Sequence, residues 1–87
     1  MNKMQQQKVI DNMKETIGYI RDAKKNSDAF YSANTIRSNM SNYFTGLAFA
    51  LETATGKEYH YSSGVDGLTW ALVIQEKGKE DLYIPIN

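Results

Sequence analysis

The chain has no cysteine, one proline, one histidine and one tryptophan in 87 residues, and its ten basic and ten acidic side chains cancel. Each shortage excludes something. Without cysteine there are no disulfides, no thiolate metal ligands and no thiol nucleophile. With one histidine, His60, the usual partner of a nucleophilic serine can stand in one place only. A zero net charge removes the bulk electrostatic case for nucleic acid. The longest apolar run, Gly46 to Leu51, is far too short for a membrane span. Met1 to Gln7 carries no apolar stretch of the signal-peptide kind, so the expected location is the cytoplasm.

What is present suits a single small domain. Hydrophobic residues make up 41% of the chain, enough for a core and too many for bulk disorder. For 9.9 kDa, surface scaling gives roughly 5,200 Å² folded against roughly 14,400 Å² unfolded.

Ile10, Met13, Ile17 and Ile20 recur at helical spacing, with Val9 widening the stripe, and predict a helix from about Gln5 to Lys25. Asn26-Ser27-Asp28 reads as a turn, and either Asp28 or Ser32 starts the next helix. Its apolar stripe is Ile36, Met40, Tyr43, Phe44, Leu47, Leu51 and Ala54, and Gly56 ends it. A connection this short folds the helices into an antiparallel hairpin.

After Gly56 the period changes to two. Asp66-Gly67 between Val65 and Leu68 is a strong type I′ hairpin signal. A two-residue turn there sets Ser63 opposite Trp70, Tyr61 opposite Leu72 and Tyr59 opposite Ile74. Every large apolar residue of both strands then shares one face. Leu82, Ile84 and Ile86 of a third strand can join that face only through an odd-length loop, which pairs Leu72 with Ile84 or with Ile86. Pro85 requires that strand to be an edge, its missing N–H pointing outward. The expected architecture is α+β in the order α-α-β-β-β: a two-layer fold in which the antiparallel helical hairpin packs on one face of a three-stranded antiparallel meander.

No catalytic constellation stands out. No serine lies in a nucleophile elbow, and Gly64 and Gly67 lack the lysine and helix of a phosphate loop. Glu58 and His60 share one strand face, two ligands where a closed metal site needs more. The expectation is a non-enzymatic protein without cofactor or metal.

More telling are side chains that the core does not need. Tyr19 lies roughly 140° from the first stripe and Phe49 about 160° from the second. The outer sheet face aligns His60, Val73 and Tyr83 in one row, an exposed and partly apolar strip. Tyr19, Phe49, His60, Val73 and Tyr83 are therefore the candidate contacts for another protein, a homodimer being one form. A regulator or inhibitor, of the sort small phage and mobile-element genes encode, fits the size. The alternative is nucleic-acid binding through Lys8, Lys14, Arg21, Lys24 and Lys25, since residues 1–25 hold six basic against three acidic side chains. Opposing it, residues 26–76 hold two basic against five acidic, so charge is polarised rather than basic. A small-ligand sensor or enzyme built on Glu58 and His60 is the remaining alternative.

Overall fold

The computed structural model describes residues 1–63 and 69–86. Helix α1 spans Lys3–Arg21, a single turn α2 spans Ala23–Asn26, and α3 spans Ala33–Thr55. Strands β1 (Glu58–Ser62), β2 (Ala71–Gln75) and β3 (Leu82–Pro85) follow. They form one antiparallel sheet in the order β1-β2-β3. The helices cover one face of it, the α+β arrangement that the stripes and alternation predict.

Capping chemistry sets the helix ends. Asn2 and Gln5 make a reciprocal capping box at the start of α1, each side chain accepting from the other's backbone N–H. The first helix stops short of the expected Lys25. Asp22 leaves the helical region at ψ 18°, which breaks the rod and lets α2 fold down with Ala23 fully buried. Of the two candidate starts of the second long helix, Ser32 is the cap. Ser32 Oγ accepts from Thr35 N–H at the first turn of α3. Asp28 instead closes its own turn, accepting from the N–H groups of Phe30 and Tyr31 at 2.8 Å each. Gly56 ends α3 at φ 74°, and its N–H donates to Glu52 O.

The core is the meeting of three apolar stripes. Met13, Ile17, Leu51 and Leu72 are fully enclosed, with Phe44, Tyr59 and Ile86 around them. Three residues expected there lie outside: Tyr43 and Leu82 are half exposed and Ala54 is exposed. Tyr43 and Phe44 are neighbours about 100° apart on the helix, so only one ring of the pair can face the sheet. Phe44 does, edge-on to Tyr61 with centroids 5.0 Å apart, and Ala48 extends the packed stripe on its side.

The register of β1 and β2 is the one alternation predicts, from Glu58 opposite Gln75 to Ser62 opposite Ala71. The Asp66-Gly67 turn and the Val65–Leu68 pair lie outside the described residues. Strand β3 pairs Leu72 with Ile84 and Val73 with Tyr83, the first of the two registers that parity allows. Gly78 turns the connection at φ 79°. The outcome is a thin slab, 43 × 28 × 17 Å, with a radius of gyration of 13.6 Å. A compact chain of this length would have about 12 Å.

Candidate functional site

The five candidate contact residues do not form one surface. Tyr19 is half exposed on the flank of α1, and Tyr83 is exposed on β3. Between His60 and Tyr83 the expected row exists, because Val73 is paired with both. It is not an exposed strip: Val73 is only 7% accessible and Ala71 only 4%. A central strand has its backbone sealed by both neighbours. The Val73 side chain is flanked directly by two large residues, whose Cβ atoms stand about 5 Å away. The expectation that Val73 lies open to a partner is therefore corrected.

Phe49 and His60 do come together. Helix α3 lies above β1, and two tyrosine hydroxyls tie them: Tyr61 to Ser41 Oγ at 2.8 Å and Tyr59 to Thr55 Oγ1 at 3.2 Å. Both rings lean inward under the helix, Tyr61 stacking on Trp70 at 6.3 Å. Outside them runs a groove of about 350 Å³. Thr45, Ala48, Phe49 and Glu52 form its helical wall, and Tyr59, His60 and Tyr61 its strand wall. Phe49 is 71% accessible at the rim.

A second feature has no counterpart among the sequence candidates. Phe30 is 89% accessible and Tyr31 56%. They occupy no loose segment. Besides the two bonds to the Asp28 carboxylate, Tyr31 O accepts from Asp28 N–H at 3.0 Å, and Ser32 caps the helix that follows. The backbone is pinned on both sides while both rings stand in water. The signal was present in the sequence: two adjacent aromatics inside a turn cluster, on neither apolar stripe.

The basic residues of the nucleic-acid alternative are scattered. Lys8, Lys24 and Lys25 are exposed, while Lys14 and Arg21 are half-buried. Lys8 and Lys14 point about 120° apart around α1. Arg21 is already engaged, donating to Ile86 O at 3.1 Å and to both carboxylate oxygens of Asp22. That contact raises the Arg21 pKa and holds the Asp22 carboxyl below the usual range, through hydrogen bonding first and charge second. Glu58 and His60 meet at 3.5 Å on the exposed sheet face. Among the described residues, no three His, Asp or Glu side chains are grouped to hold a metal ion. No helix there is long and apolar enough to cross a membrane.

Comparison with protein-family models, with curated proteins and with solved structures finds no match to this chain.

Proposed function

We propose that this chain is a non-catalytic binding module whose partner is another protein, and that Phe30 and Tyr31 anchor the contact. The observation that supports the reading is a pair of adjacent rings held in water by backbone that is hydrogen-bonded in place. A ring so exposed adds nothing to the core. Ordering the turn beneath it removes part of the conformational entropy that binding would otherwise cost. Aromatic residues on rigid supports are the usual centres of protein contacts. Regulation or inhibition of the partner is the form of activity that the size of the module suits.

The test is affinity capture from the native lysate with wild type beside a Phe30→Ser, Tyr31→Ser variant of unchanged melting temperature. A protein retained by the first and lost by the second is the expected result. Equal retention by both would move the contact elsewhere. Recovery of nuclease-sensitive material alone would reject the reading in favour of nucleic acid.

A further inference from the structure

The two edges of the sheet differ in a way that follows from one hydrogen bond. Ile86 N–H donates to Trp70 O at 2.7 Å. Backbone bonding alternates along an antiparallel ladder. Trp70, Leu72 and Ile74 therefore turn their polar groups toward β3, and Ala71, Val73 and Gln75 turn theirs toward β1. On β1, Glu58, His60 and Ser62 answer β2, which leaves the N–H and C=O of Tyr59 and Tyr61 directed at the open edge, along the α3 groove. On β3 the outward positions are Tyr83 and Pro85. Pro85 has no N–H to offer, so that edge is blunted. Among the described residues the β1 edge carries no proline.

We propose that the β1 edge and the α3 wall beside it pair with the same surface of a second copy of this chain. The strands run antiparallel about a two-fold axis at His60, making one continuous six-stranded sheet. This goes beyond the binding reading above and uses a surface other than the Phe30–Tyr31 turn, so either can fail alone.

Four observations select this occupant. First, Tyr59-His60-Tyr61 reads the same in both directions. Centred on His60, the pairing sets Tyr59 opposite the second copy's Tyr61, and both are residues whose backbone groups point outward. All four bonds of those two pairs can form, and core faces stay with core faces. Second, the helices meet without conflict. Tyr61 reaches Ser41 and Tyr59 reaches Thr55, so His60 lies level with the midpoint of that stretch, Ala48. The groove wall of α3 presents Thr45, Ala48, Phe49 and Glu52, so the two copies cross between Ala48 and Phe49, each alanine receiving the second copy's Phe49 ring. Third, α3 carries only Arg37 and Glu52 as charges. The crossing sets Glu52 across from the second copy's Thr45 and keeps the two carboxylates on opposite sides of the axis. Fourth, the chain exposes 6140 Å², about 900 Å² more than a monomer of its mass should. A standard interface takes about 800 Å² from each partner.

The absence of cysteine makes the test clean. In a His60→Cys variant the two introduced thiols face each other across the axis, in a non-hydrogen-bonded pair whose Cα separation suits a disulfide. Mild oxidation should convert this variant almost wholly to a covalent dimer, while Tyr83→Cys on the blunted edge should not convert. Sedimentation equilibrium of wild type should give a dimer. Thr45→Glu sets a carboxylate against the second copy's Glu52 and should raise the dissociation constant roughly tenfold or more. Adding Glu52→Lys to that variant should restore it. Thr45 and Glu52 are both exposed, so folding is retained and circular dichroism checks it. A wild type that sediments as a monomer at submillimolar concentration overturns the proposal. So does a dimer in which Tyr83→Cys crosslinks and His60→Cys does not.

Discussion

Leu51 shows what a single side chain contributes in so small a core. It is fully enclosed between the helices and the sheet. Leu51→Ala should lower unfolding stability by about 3 kcal/mol, the transfer and cavity terms together. That is a large share of what a domain this size has to lose. Urea unfolding followed by Trp70 fluorescence measures it. Phe30→Ser should leave the same transition within about 0.5 kcal/mol of wild type, because the ring touches no core. Arg21 and Asp22 add a pH signature. Asp22 titrates below its unfolded value, so its stabilisation is complete above the ordinary aspartate range and is lost as pH falls through the folded value. The stability gap between wild type and Asp22→Asn should therefore be present at neutral pH and close below about pH 4. A gap that persists in acid would mean the pair is not its source. Residue-level exposure was the hardest property to read in advance. The burial of Val73 depends on what flanks it, and the outward turn of Tyr43 depends on which of two adjacent rings wins the core.

At the scale of elements the chain is far more readable. Helical spacing located both long helices, and strand parity narrowed the pairing of β3 to two registers, because a slip by one residue would have sent Leu82 and Ile84 to the wrong face. The helix end at Gly56 was readable from its distinctive cap chemistry, whereas Asp28 and Ser32 offered equally good starts for α3 and only the structure separates them. The break at Asp22 was not readable, since no proline or glycine marks that position. The same caps make the element-scale prediction. Ser32→Ala should cost about 1 kcal/mol by leaving the Thr35 N–H without its side-chain acceptor. Gly56→Ala should cost about 1 kcal/mol or more, through the positive φ rather than through any clash, since nothing lies within 4 Å of the added carbon. Thermal melts of the two variants separate these costs from core effects. The candidate site was legible in part. Helical phase and strand parity set Phe49 and His60 outside the core, but their meeting in one groove depends on how α3 seats over β1. Two tyrosine hydroxyls determine that seating, and no spacing rule reports it.

At the scale of the whole molecule, two layers only 17 Å deep leave much of the surface unspent. Pro85 then acquires a meaning beyond its own strand. A sheet open at both ends could add copies without limit, and such growth is how fibres begin. With one end stopped by a residue that has no proton to share, addition at the other end consumes the edge left open among the described strands, and assembly halts at a closed pair. Pro85→Val would return the missing donor. Its expected consequence is sedimenting species larger than a dimer and a rise in fibre-specific dye fluorescence on standing, where wild type shows neither. In that sense a lone proline acts as a chain terminator for polymerisation, limiting how many molecules the sheet can join.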